Sequence, residues 1–313
     1  MKMLVLGAGG IGGYFGGRLA ESGTDVTFLV RPRRRAQLLS DGLRIVSPAG
    51  NATLKVQTVD AEGLAANPRD FDIVLLTCKS YDLDSAMDAI APAMAAGSAV
   101  LPMLNGIAHL DRLDARFGAA NVLGGSCSIS VTLQPDGTIT HPDPLQRLAF
   151  GERDRSQSAR TQMLADSFER TNVTWEHSAD IEQNMWEKIS FLSVLAAVNC
   201  LFRANTGEIL SAPGGRGAID SALRTNFEIA TRAGHPPRPA TVEFARSQLL
   251  DSAGKRSWSM LNDVENGAPT EADHIIGWLL ERAHAFDIEA PVLSLAYTNL
   301  KAYEARRAAG RLP

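Results

Sequence analysis

The segment Gly7-Ala8-Gly9-Gly10-Ile11-Gly12 constrains this chain more than any other feature. It follows directly on the apolar run at residues 3–6 and opens an amphipathic stretch at 10–22. That strand, turn and helix context makes a G-x-G-x-x-G pattern informative. Gly7 permits the tight turn, Gly9 lets the backbone approach a pyrophosphate with no Cβ in the way, and Gly12 lets helix and strand pack closely. The N–H groups and positive potential at the helix start complete an anion site. Gly7, Ala8, Gly9, Gly10, Ile11 and Gly12 are therefore the candidate contacts to a dinucleotide.

The first half continues as this unit requires. Short apolar runs at 26–30, 73–77 and 99–103 alternate with helical patterns such as 83–94, which predicts a parallel sheet covered by helices on both faces. Residues 43–46 and 54–59, separated by turn formers around Pro48, Ala49, Gly50 and Asn51, predict a hairpin-like excursion. Residues 128–133, a turn at Pro135, Asp136 and Gly137, and residues 148–151 add antiparallel strands. From about Asp180 the periodicity is helical, at 181–202, 218–233, 240–252, 272–286 and 293–309. Pro236, Pro237 and Pro239 make one stiff loop among these helices. The fold class expected is α/β, an N-terminal Rossmann-type doubly wound parallel sheet (1–179) plus a C-terminal all-α domain (180–313) carrying substrate and catalytic groups.

Composition narrows the partners. A net charge of -4 gives no general reason to bind nucleic acid or an anionic membrane. The three cysteines, Cys78, Cys127 and Cys200, are far apart and odd in number, which fits packing thiols in a reducing cytoplasm. Glycines from Gly7 to Gly13 interrupt the N-terminal apolar run before a signal peptide could form. The apolar stretch at 189–202 is shorter than the roughly 20 residues that cross a bilayer. The histidines show no H-E-x-x-H spacing, so no metal is expected. Gly124-Gly125-Ser126-Cys127-Ser128 lacks the second glycine of a nucleophile elbow, which argues against hydrolysis.

The second apolar strand ends Leu29-Val30-Arg31, where NAD enzymes usually place an acidic residue for the ribose 2′-OH. A guanidinium there suits a 2′-phosphate, so NADPH is the expected cofactor and Arg31 its candidate anchor. Arg33, Arg34 and Arg35 read mainly as a solvated helix face. Polar residues also stand directly after later strands, at Thr77-Cys78-Lys79 and Asn105-Gly106. Taken alone, Lys79 is as readily a surface lysine, and Asn105 a turn former. Trp186-Glu187-Lys188 precedes a very apolar helical run, which puts Lys188 at the edge of a buried face. A half-buried lysine can donate the proton that a carbonyl needs once hydride reaches its carbon, although it can equally snorkel outward. Thr270 with Asp273 fits a helix capping box.

Taken together, the G-x-G-x-x-G, Arg31, Thr77 to Lys79, Asn105-Gly106, Trp186 to Lys188, Ser259-Met260-Leu261-Asn262-Asp263 and Thr270-Glu271 resemble the ketopantoate reductase family in order and spacing over nearly the full length. The resemblance implies that NADPH reduces a 2-oxo acid, 2-dehydropantoate first among candidates, between the two domains. It implies that Lys188 is the general acid, that Glu271 engages the same oxygen or the lysine, and that Asn105 holds Lys188 or the nicotinamide side. It also implies that Lys79 lines the cleft, that Ser259 contacts the substrate carboxylate, and that the chain forms a homodimer. The chain departs from the family where asparagines commonly stand four and eight residues after the lysine; here these are Leu192 and Ala196. Arg256 likewise stands three residues before Ser259 in place of an asparagine. A pocket reshaped for a more apolar 2-oxo acid follows, with Arg256 taking the carboxylate and Asn199, about three turns beyond Lys188, returning to the same face. The competing class is a protein that senses NADPH without turning it over; Lys188, Asn105, Ser259 and Glu271 argue against it.

Overall fold

In the computed structural model, which describes residues 1–312, the first apolar run becomes the central strand Lys2–Leu6 of a five-stranded parallel sheet. The strand order is Gln57–Val59, Asp25–Leu29, Lys2–Leu6, Ile73–Leu76, Ala99–Pro102. Met3, Leu4 and Val5 are fully buried, as are Ile73, Val74, Leu75 and Leu76. Continuous apolar strands of this kind need cover on both faces, which the intervening helices supply. Leu6 pairs in register with Leu29 on one side and Leu76 on the other. The strand order therefore reverses at the end of Lys2–Leu6, and open α/β sheets bind ligands in the crevice beyond such a point.

The predicted excursion divides between two sheets. Leu43–Val46 pairs antiparallel with Ala52–Leu54, but Gln57–Val59 leaves that hairpin and joins the edge of the main sheet beside Asp25–Leu29. Thr138–Thr140 and Thr132–Leu133 extend the smaller sheet, and Gly124–Ile129, Gln146–Gly151 and Thr174–His177 form a third. Ile139 and Ile45 of the smaller sheet pack on the glycine helix Gly10–Glu21: a Cβ on Gly13 would fall 2.3 Å from Ile139 Cδ1, and one on Gly17 2.7 Å from Ile45 Cδ1. The glycines thus let a sheet lie against this helix.

The chain divides into two compact units: Met1–Leu104 with His109–Asn184, and Asn105–Ala108 with the residues from Met185 onward. The second is helical. Its helices include Thr206–Ser211, Gly215–Arg232, Pro239–Leu249, Ser259–Glu265, Trp278–Ala285 and Pro291–Ala308. The helix at 272–286 opens with a π-helical turn, Asp273–Gly277. Thr270 and Asp273 do not act as the expected capping pair. Thr270 Oγ1 accepts from Ala272 N (3.3 Å), while Asp273 is held by Tyr297 Oη (2.7 Å) and Lys301 Nζ (2.9 Å).

The helix Ile181–Phe202 spans the range that periodicity predicts, and with 22 residues it is long and apolar enough to cross a membrane, which the apolar run at 189–202 alone is not. Within the protein 78% of its most apolar window is buried. A helix apolar all round is what a core position demands. Its successive faces serve two clusters, Ile189, Ala196, Ala197 and Cys200 in one and Val194, Leu195 and Val198 in the other.

Candidate active site

The three glycines of the G-x-G-x-x-G pattern, Gly7, Gly9 and Gly12, each have their own physical reason. Gly7 adopts φ +90°, a conformation that L side chains rarely tolerate, and its N–H donates to Leu29 O at 2.9 Å. A Cβ on Gly12 would lie 2.3 Å from Gly7 O and 2.4 Å from Thr77 Oγ1, so only glycine lets the helix meet the strand ends. Gly9 differs: its φ is −82°, and a Cβ there would meet nothing within 4 Å. Neither backbone conformation nor packing explains glycine at that position, whereas close approach of a ligand does. Gly9 is also the N-cap, with no side chain capping the helix and no acidic residue in its first turn. These donors and this open face fit the pyrophosphate of a dinucleotide.

Around the same crevice, Thr77 Oγ1 donates to Leu6 O (2.7 Å) and stitches two strand ends together. Lys79, partly buried, follows at the turn into Ser80–Asp82, its carbonyl accepting from Asp82 N at 3.0 Å. Arg31 precedes the helix Pro32–Asp41 with its side chain 83% exposed. Of the basic run, Arg34 is not a solvated residue. Its Nε donates to Ala8 O (3.1 Å) and its Nη1 to Gly137 O (3.1 Å) and Gln37 Oε1 (2.6 Å), bracing the glycine loop against the smaller sheet. Burial first, and then the neighbouring Arg44, lower its pKa from the usual arginine value. Arg35 is tied to Asp60 at 2.8 Å. Sequence spacing gave no sign of these two roles.

In the helical unit, Lys188 lies within the helix Ile181–Phe202, just ahead of its apolar run, half-buried between the buried Glu187 and Ile189. Its Nζ donates to Asn105 Oδ1 at 3.3 Å across 83 positions of sequence. Asn105 is carried by a turn whose next residue, Gly106, has φ +87° and packs on His274: a Cβ there would be 3.1 Å from His274 Cδ2 and 3.4 Å from Nε2. Glu271, 6% exposed, precedes His274 by about one turn, and its carbonyl accepts from Ile275 N (3.0 Å). Lysine, asparagine amide and imidazole thus converge on one turn. His274, which sequence reasoning did not single out, belongs to this group; its spacing from Glu271 was the available signal.

A second feature missed in the sequence fixes Lys188 from behind. Glu187, 8% exposed, accepts from Arg238 N and Nε, both at 2.8 Å, and from Arg238 Nη2 at 2.5 Å. Trp186 stacks on His235, with ring centroids 5.4 Å apart and planes 16° apart. The proline-rich loop at 235–238 therefore grips the two residues before Lys188.

Two candidate substrate ligands do other work. Asn199 is fully buried; its Nδ2 donates to Ala204 O (2.8 Å) and its Oδ1 accepts from Trp258 N (3.1 Å). Helical periodicity returned it to the expected face, but its amide is occupied by holding two backbone segments. Arg256 is exposed and its guanidinium donates to Gln248 Oε1, so its side chain is engaged by a neighbouring helix. Ser259 is exposed at the first turn of Ser259–Glu265. Leu192 and Ala196 are 6% and 0% exposed. Among the described residues no three His, Cys, Asp or Glu side chains group as a metal site.

Known proteins resemble this chain in sequence and fold. The Bacillus subtilis (strain 168) protein named Uncharacterized oxidoreductase YkpB is 36% identical over 307 residues, covering 98% of this chain and all of the relative. A crystal structure of 2-dehydropantoate 2-reductase from Methylococcus capsulatus superposes with a TM-score of 0.88 at 25% identity, covering 98% of each chain. The ternary structure of D-mandelate dehydrogenase with NADH and anilino(oxo)acetate has the same fold, with a TM-score of 0.86 at 19% identity, covering 98% of this chain and 100% of that one. Residues 3–155 match the family described as Ketopantoate reductase PanE/ApbA and residues 180–304 match its C-terminal counterpart, so the chain belongs to the ketopantoate reductase family of oxidoreductases.

Proposed function

We propose that the chain reduces a 2-oxo acid to a 2-hydroxy acid with NADPH, and that Lys188 delivers the proton. The observation that carries this is the half-buried Lys188 with its Nζ held 3.3 Å from Asn105 Oδ1. An ammonium in that position has a defined direction, and a general acid must be aimed before it is useful. The nicotinamide, when bound, supplies the hydride that goes to the carbonyl carbon. Lys188 then gives its proton to the developing alkoxide. Asn105 orients the donor, and the buried Glu271 stands one turn before the His274 that packs on the Asn105-Gly106 turn. The loop from Gly7 to Gly12 and the start of its helix hold the pyrophosphate. Arg31 takes the 2′-phosphate, supported by the absence of a carboxylate at the end of Asp25–Leu29.

For the substrate, 2-dehydropantoate is the first candidate, from the family. The burial of Leu192 and Ala196, one and two turns beyond Lys188, favours a second reading in which the acid's side chain is more apolar. A hydroxyl facing those residues would lose its hydrogen bonds to water and gain none. The D-mandelate dehydrogenase neighbour, with anilino(oxo)acetate bound, illustrates an aromatic 2-oxo acid analogue held by this fold. The test is NADPH oxidation by the purified protein with 2-dehydropantoate beside branched and aromatic 2-oxo acids. Turnover of any of them supports the reaction, and the ranking assigns the substrate. NADPH binding with no turnover across the panel would refute the reaction in favour of a sensor.

A further inference from the structure

Resting on the reading of Arg31 as the 2′-phosphate anchor, we propose that Asp82 sets how strongly this chain distinguishes NADPH from NADH. Asp82 is the N-cap residue of the helix Leu83–Ile90, a position where an aspartate normally accepts from an N–H of the first turn. Here its carboxylate makes no such bond. It turns instead to Arg31, with Oδ2 3.3 Å from Nη2.

The strand order shows what that contact crosses. Arg31 follows Asp25–Leu29 and Asp82 follows Ile73–Leu76, and these strands flank Lys2–Leu6 on opposite sides. An ion pair between them passes over the end of the central strand, where the glycine loop begins. It therefore spans the crevice at the point where the strand order reverses. The pair is solvent-accessible, Arg31 at 83% and Asp82 at 42% exposure, so it opens at little cost when a dinucleotide enters.

Two consequences follow for a bound cofactor. With NADPH, the 2′-phosphate must take Arg31 from Asp82 and then sit beside a like charge. With NADH, Asp82 brings a carboxylate to the ribose 2′-OH from the opposite side of the crevice from the usual acidic residue. Asp82 thus weakens the preference that Arg31 creates, and the native chain accepts both cofactors.

Direct titration of NADPH and NADH by calorimetry tests this in native protein and Asp82→Asn, with Asp82→Ala as a second variant. Loss of one exposed ion pair and one like-charge contact corresponds to a rise of roughly 3- to 10-fold in the ratio of NADH to NADPH dissociation constants. That rise should shrink at high salt. An unchanged ratio in both variants, with NADPH still bound by native protein, would overturn the role of Asp82 and leave the cofactor reading standing. A native protein that binds NADH and not NADPH would overturn Arg31 as the anchor, and Asp82 with it.

Discussion

Replacing Arg238 with methionine isolates the contact that braces Lys188. Methionine keeps an unbranched apolar stem and removes the charge. The substitution deletes the Nε and Nη2 bonds to Glu187 and leaves the backbone bond from Arg238 N. Glu187 then stays 8% exposed and loses two charge-assisted hydrogen bonds, while the arginine removed was 55% exposed. Breaking a fully buried pair costs about 3–5 kcal/mol, and water reaching the arginine side of this one brings the expectation down to about 2–3 kcal/mol. In a helical unit of this size that corresponds to a fall on the order of 6–12 °C in Tm, read by the helical circular dichroism signal. The double variant Glu187→Gln with Arg238→Met should recover part of the loss, because the buried negative charge that Arg238 helped to offset is then removed as well. A single-variant shift below about 2 °C, or a double variant worse than either single one, would refute the reasoning.

Other outcomes follow from the same geometry. Gly9→Ala should leave Tm unchanged and weaken NADPH binding at least tenfold by calorimetry, whereas Gly12→Ala, whose Cβ would press on Gly7 O and Thr77 Oγ1, should lower Tm as well. Glu152 is buried, which raises its pKa, but hydrogen bonds from Arg160 and Ser158 outweigh this and lower it overall. A lowered folded pKa means stability present above the unfolded value and lost as pH falls through the folded one. Tm should therefore drop on acidification below about pH 5, and Glu152→Gln should remove part of that drop.

The features legible in the sequence were those written locally. The glycine loop, the apolar strands and the long helices each carry their signal within a few residues. The path of residues 52–59 did not, because a change of sheet between Leu54 and Gln57 leaves no mark on alternation. The π-helical turn at Asp273–Gly277 also has no periodic signature. Within the site, Lys188 and Asn105 stand 83 positions apart, and only the family resemblance joined them in advance. Asn199 shows the limit of periodicity: it gives the face of a helix and not what that face meets. Glu187 with Arg238, 51 positions apart, is a product of tertiary packing alone.

The central claim is that Lys188 donates the proton in a reduction by NADPH. It is tested most directly by measuring NADPH binding and steady-state turnover side by side in the native chain and Lys188→Ala, using the best 2-oxo acid of the panel. Loss of one general acid predicts turnover reduced by about 10²- to 10⁴-fold with the NADPH dissociation constant unchanged. Turnover within a factor of a few of native would remove Lys188 from the chemistry and contradict the mechanism.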